Sequence, residues 1–129
     1  MATIKRFEDL EIWQLARKLS QLVIFISKNT ELKNDYRFKD QIKASSGSIM
    51  DNIAEGFERD GNLEFRQYLS IAKGSAGETR SQSYRLFDSE YISEEQLKQL
   101  ITKCESLSRK IASFISYLNK KDFKGNKFK

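Results

Sequence analysis

The sequence predicts an all-α fold, an antiparallel up-down-up-down four-helix bundle, and three observations carry that expectation. Proline is absent and glycine occurs six times in 129 residues, so little in the chain forces a long helix to break. Charged residues make up 32% and hydrophobic residues 39%, the balance of soluble amphipathic helices. Apolar residues recur at steps of three and four in four segments, with no strand-like alternation and no internal repeat. A chain of this size buries enough surface to fold as one domain, here residues 7–119 followed by a basic tail, 120–129, read as mobile.

The first helix is expected from Asp9, read as its N-cap, to about Lys28. Between Leu10 and Ile26 eleven of seventeen residues are apolar, in two stripes, 13-16-19-23-26 and 12-15-19-22-26. Together they are wider than the face of roughly 100° that a monomeric bundle helix buries. The surplus, with Ile12, Leu15, Leu22 and Phe25 on it, must be buried elsewhere, and an oligomer interface is the expected place. Residues 29–34, NTELKN, read as a loop, and Asn34 or Asp35 can cap a second helix reaching about Phe57. Its inward positions are Phe38, Ile42, Ser45, Ser46, Ile49 and Ile53, large apolar residues mixed with small polar ones.

A third helix is expected from Asn62, read as its cap, to about Ser89, with Phe65, Leu69, Ala72, Ala76, Thr79, Ser83 and Leu86 inward. Gly74 and Gly77 lie in its middle, where each costs about 1 kcal/mol relative to alanine. Close helix packing explains such a pair, and a kink serving a site is the alternative. The fourth helix opens on Ser93 and Gln96, the spacing of a capping box. Leu97, Leu100, Cys104, Leu107, Ile111, Phe114 and Leu118 then form a bundle seam.

No apolar run reaches the roughly 20 residues that span a bilayer, and the start MATIKRFEDLEIW lacks a signal peptide's apolar core. A cytoplasmic protein without membrane attachment is expected. The single Cys104 agrees with a reducing compartment. The net charge is +5, but the last ten residues, KKDFKGNKFK, hold five lysines and one aspartate, so residues 1–119 carry only +1. Candidate phosphate-binding residues are therefore the tail lysines Lys120, Lys121, Lys124, Lys127 and Lys129, together with Arg66, Lys73 and Arg80, which recur every seven residues along one side of helix 3.

Histidine is absent, which removes Ser-His and Cys-His nucleophilic sites and the Glu-x-x-His pairs of di-iron bundles. No Gly-rich phosphate loop joins a strand to a helix. Two of Glu55, Glu58, Glu64 and Glu78 could hold a Mg²⁺; their spacing fits structural helix pairs such as Glu55 with Arg59 better. Neither an enzyme nor a cofactor or metal is expected. Asn52 lies at the core edge, where its amide needs a partner. Glu78, Ser75 or a backbone group of helix 3 would supply one. Ser48, Asn52, Glu55, Gly56, Ser75 and Glu78 thus form a predicted structural polar cluster, in which Gly56 either releases the chain from helix 2 or admits a close backbone.

The runs F-x-D-L-x-I-W-x-x-A at 7–16, S-I-x-x-N-I-A-E-G at 48–56 and E-F-x-x-Y-L-x-I-A-x-G-S-x-x-E at 64–78, with Gln41 and Arg59, resemble a family of four-helix-bundle proteins. That family is named after reading frames in intervening sequences of bacterial 23S ribosomal RNA genes, and the resemblance covers residues 7–118. It implies a ring-like homopentamer and no established catalytic activity. A related branch is the accessory protein of diversity-generating retroelements, which works with nucleic acid. The expected function is a non-enzymatic oligomeric binding module whose partners are its own copies and RNA or DNA. The alternative is a scaffold for a protein partner with no nucleic-acid role.

Overall fold

A computed structural model describes the backbone of residues 4–127 and the side chains of residues 4–121. Four helices follow one another: α1 Glu11–Asn29, α2 Tyr36–Glu58, α3 Asn62–Asp88 and α4 Glu94–Lys127, with short 3₁₀ turns at Phe7–Asp9 and Glu31–Asn34. No strand occurs among the described residues. Helix α2 packs between α1 and α3, α4 covers α3, and α1 meets α4 more sparsely.

The helix starts divide into two capped by side chains and two that are not. Asp35 caps α2, its carboxylate accepting from the Phe38 N–H at 3.3 Å. Ser93 and Gln96 cap α4 reciprocally: the Gln96 N–H donates to Ser93 Oγ at 3.1 Å, and the Ser93 N–H to Gln96 Oε1 at 2.9 Å. Asp9 caps nothing, contrary to expectation. It ends the first 3₁₀ turn, and Leu10, only 4% exposed, holds the cap position of α1 with no side-chain bond. Burial of that leucine, worth about 1.5–3 kcal/mol, sets the entry to α1. Asn62 is likewise not a cap. Gly61 holds that position, and the Asn62 amide reaches across to the Leu118 carbonyl at 3.2 Å.

The periodicities predict the core well. Leu19, Ile26, Leu32, Ile42, Ile49, Ile53, Leu69, Leu86, Leu100, Leu107 and Ile111 are each less than 2% exposed. Segment 29–34, expected as a loop, makes one 3₁₀ turn because the Thr30 hydroxyl accepts from the Leu32 N–H at 3.2 Å and Leu32 is fully buried. Helix α4 runs on through residues 120–127 of the expected tail: no proline interrupts that stretch, and its one glycine, Gly125, costs only about 1 kcal/mol. Residues 128–129, with Lys129, lie outside the described residues, as do the side chains of Lys124 and Lys127. Helix α3 ends without glycine. Glu90 takes φ 63° so that the Tyr91 N–H can donate to the Leu86 carbonyl at 3.0 Å, the αL stop that usually falls to glycine.

Gly56 and the Gly74/Gly77 pair turn out to be opposites. A Cβ on Gly56 would stand 2.6 Å from Tyr68 Cβ, 3.1 Å from a Phe65 ring carbon and 3.3 Å from the Phe65 carbonyl. Helix α2 continues two residues past it, to Glu58, so its smallness serves the close approach of α3 rather than chain exit. At Gly74 and Gly77 a Cβ would meet nothing within 4 Å. Close packing within the chain, the expected reason for that pair, does not explain them, because both face outward.

Candidate functional site

Three surfaces gather the residues singled out by sequence. The first is the seam between α2 and α3, where the inward serines and threonine meet. Ser45 Oγ donates to Gln82 Oε1 at 2.5 Å and lies 2.9 Å from Thr79 Oγ1. The Thr79 hydroxyl also reaches the Ser75 carbonyl at 2.9 Å, so its single proton serves either that carbonyl or Ser45. All three residues are at most 5% exposed. A buried hydroxyl without a partner costs about 1–3 kcal/mol, and among the described residues no buried side-chain N or O lacks one. The seam therefore favours one axial register of α2 on α3.

Nearer the surface, Asn52 Nδ2 donates to the Ser48 carbonyl at 2.8 Å and to Ser48 Oγ at 2.9 Å, and Ser48 Oγ lies 3.0 Å from Ser75 Oγ. Asn52 does not reach α3, contrary to expectation; Ser48 makes the contact with Ser75 instead. Glu78 is exposed and takes no part. Glu55 belongs to a separate group at the α2–α3 turn. Arg59 Nη2 donates to Glu55 Oε1 at 2.9 Å and to the Tyr68 hydroxyl at 2.8 Å, and its Nη1 stands 3.9 Å from Glu64. Its guanidinium also lies over the Tyr68 ring, 5.2 Å from the centroid. The hydrogen bond to Glu55, then the field of Tyr68, raises the Arg59 pKa further above its ordinary value. These groups are solvated, so they order the turn more than they stabilise it.

The second surface is the groove between α3 and α4, about 460 Å³, lined by Ser70, Lys73, Gly74, Ala76, Gly77, Arg80, Cys104 and Ser108. Lys73 and Arg80 stand on it as the seven-residue spacing predicts. Arg80 lies 3.4 Å from Glu105, with both side chains nearly half exposed. Arg66 is half-buried and donates through Nε to Asn62 Oδ1 at 2.8 Å and through Nη1 to Asn119 Oδ1. From Arg66 to Arg80 the row spans about 21 Å. Asn119 is followed in α4 by Lys120 and Lys121, both exposed. Cys104 reaches the groove from within, only 1% exposed, and burial pushes its thiol up to about 12. A thiol held protonated is a poor nucleophile.

The third surface is α1. Phe25 is 58% and Ile24 38% exposed, and Leu15 and Leu22 are half-buried. Ile12 is 3% exposed and belongs to the chain's own core, which removes it from the predicted interface: it falls on the stripe with Leu19, Val23 and Ile26 that meets the neighbouring helices. Lys110 Nζ meets Glu11 at 2.9 Å across α1 and α4.

Nothing in the sequence alone marks Tyr68, Gln82, Arg85 or Tyr91 as a site residue. The E-F-x-x-Y run contains Tyr68, but its partner Arg59 lies across a turn. Gln82 is a polar residue inside a helix with no local signal of burial. Among the described residues no group of three or more His, Cys, Asp or Glu side chains could hold a metal ion. No helix there is long and apolar enough to cross a membrane.

Comparisons with known proteins agree with this architecture. No curated protein matches the chain. A crystal structure of a protein with unknown function from the S23 ribosomal protein family of Bacteroides thetaiotaomicron VPI-5482 is similar to it in fold. The TM-score is 0.73 at 24% identity, over 81% of this chain and 97% of that one. Residues 8–113 match the family model described as 23S rRNA-intervening sequence protein. Since that match covers most of the four helices, the chain belongs to the 23S rRNA-intervening sequence protein family.

Proposed function

We propose that the chain is a non-catalytic, self-assembling module of the cytoplasm that binds nucleic-acid phosphates along its α3–α4 face. The observation that carries this reading is the contact of Arg66 with Asn119. It joins the row Arg66, Lys73, Arg80 to the Lys-rich end of α4, so that two basic segments far apart in sequence form one track. The exposed glycines 74 and 77 leave the middle of the track without side chains, which lets a phosphate backbone come close. The absence of histidine and the protonated Cys104 support a role without catalysis.

Assembly is the other half of the proposal. The bundle runs up-down-up-down, supported by contacts between chain-distant ends such as Asn62 with Leu118 and Asp35 with Tyr91. Leu15, Leu22 and Phe25 bury their remaining surface against a second copy in a ring of five. Each copy then contributes its own track, and several weak electrostatic contacts act together.

The test is binding of structured RNA and of duplex DNA to the full chain across a salt series. Affinity should fall with salt at a slope of about −0.9 per phosphate neutralised on duplex DNA. Lys73→Glu with Arg80→Glu, or glutamine at Lys120, Lys121, Lys124, Lys127 and Lys129, should weaken binding and flatten that slope. Phe25→Asp should lower the oligomer mass. No binding at low salt would instead favour the protein-scaffold reading, for which the exposed Leu63 and Ile71 on α3, 58% and 51% exposed, are the supporting observation.

A further inference from the structure

At the other side of α3, where its last turn meets the start of α2, lies a polar cleft of about 420 Å³ lined by Asp35, Arg37, Phe38, Gln41, Arg85 and Ser89. It shares no lining residue with the α3–α4 groove. Arg85 is built into it: the guanidinium lies on the Phe38 ring, 4.4 Å from the centroid, and Phe38 is only 6% exposed. Stacking holds the guanidinium plane and leaves its N–H edges to donate. Among the described residues neither Arg37 nor Arg85 has a carboxylate within ion-pair distance.

Asp35 is the one acid in the lining, and both of its oxygens are engaged. Oδ1 accepts from the Phe38 N–H at 3.3 Å and Oδ2 from the Tyr91 hydroxyl at 2.8 Å. Its charge is set against the positive end of α2. Two guanidinium groups against one carboxylate leave the cleft with a charge of +1.

We infer that this cleft binds a phosphate group through Arg37 and Arg85, with the Gln41 amide and the Ser89 hydroxyl as further donors. A phosphate monoester offers three terminal oxygens, enough for two guanidinium forks and neutral donors at once, whereas a carboxylate offers two. The volume leaves room for the remainder of a small ester. The group is free phosphate or the phosphate of a small ester, and the two sources share this chemistry.

The probes are inorganic phosphate and uridine 5′-monophosphate, each titrated into the full-length protein at fixed ionic strength. Binding is followed by calorimetry and by the NMR signals of the arginine Nε–H groups. Saturable binding of either probe, shifting the Arg37 and Arg85 signals, is the expected result, and the tighter probe identifies the source. Arg37→Gln and Arg85→Gln should each weaken it about tenfold, with unchanged circular dichroism showing that the fold persists. Arg85→Lys, which keeps the charge but not the fork, should also weaken it. Arg109→Gln, removing an equal charge from exposed α4 surface, should leave it unchanged. Titrations that never saturate, or an Arg109→Gln effect equal to that of Arg85→Gln, overturn the inference. Because Lys73 and Arg80 play no part here, loss of nucleic-acid binding in their variants leaves this result untouched.

Discussion

Replacing Gly56 by alanine puts the packing of α2 on α3 to a quantitative test. The added methyl would begin 2.6 Å from Tyr68 Cβ and 3.3 Å from the Phe65 carbonyl. Neither is the free end of a flexible side chain: one is anchored directly to the α3 backbone and the other is backbone. Relief requires the helices to part by about 1 Å locally, and overpacking of this kind costs roughly 1–3 kcal/mol. With two rigid neighbours the upper end, about 3 kcal/mol, applies. Alanine returns about 1 kcal/mol of helix propensity. The net loss is then about 2 kcal/mol, a fall in melting temperature of roughly 8 °C for a chain of this size. Urea unfolding at matched protein concentration measures it. Gly74→Ala is the control: it meets open space, so it should gain about 0.5–1 kcal/mol. A Gly56→Ala protein as stable as the parent would refute the argument, and so would equal losses in both variants.

Three further outcomes follow from the same geometry. Ser45→Ala strips Gln82 and Thr79 of a buried partner and should lower stability by about 1–3 kcal/mol; a double-mutant cycle with Gln82→Leu should show strong coupling. Asn52→Leu should lower it by less than about 1 kcal/mol, because Ser48 Oγ keeps Ser75 as a partner, and urea midpoints of the two variants rank them. Cys104 should resist alkylation at pH 8 in the folded protein and react once the chain is unfolded. Its thiol is raised from 9.0 to about 12, so the folded form keeps a proton that the unfolded form gives up. That contribution is whole below pH 9 and is lost as pH rises toward 12, at up to about 1.4 kcal/mol per pH unit. Comparing alkaline unfolding with Cys104→Ala isolates it: the variant should lose that part of the slope.

Much of the architecture was legible because its causes are local. The three-and-four spacing of Leu100, Cys104, Leu107 and Ile111 identifies a buried face without knowledge of any neighbour. Asn34 or Asp35, of which the structure uses Asp35, and the Ser93–Gln96 pair mark helix starts because a cap bonds within three residues of itself. The same logic misled at Asp9 and Asn62, residues of the right type one step from the true start. There a buried leucine and an extended glycine occupy the cap position, and burial and backbone geometry outweighed side-chain preference.

The sequence by itself determined the all-α class, the four helices and most of the core, since periodicity and capping act over a few residues of one chain segment. The tertiary structure alone decided which residues meet across helices. It assigned Gly56 to a close approach and Gly74 to an open groove, although both are helical glycines. It buried Ile12 while leaving Phe25 exposed, joined Ser45 to Gln82, set Arg66 beside Asn119, and stacked Arg85 on Phe38. Such pairs depend on the rotation and axial register of whole helices, which the summed packing of the core sets and no single stretch of sequence encodes.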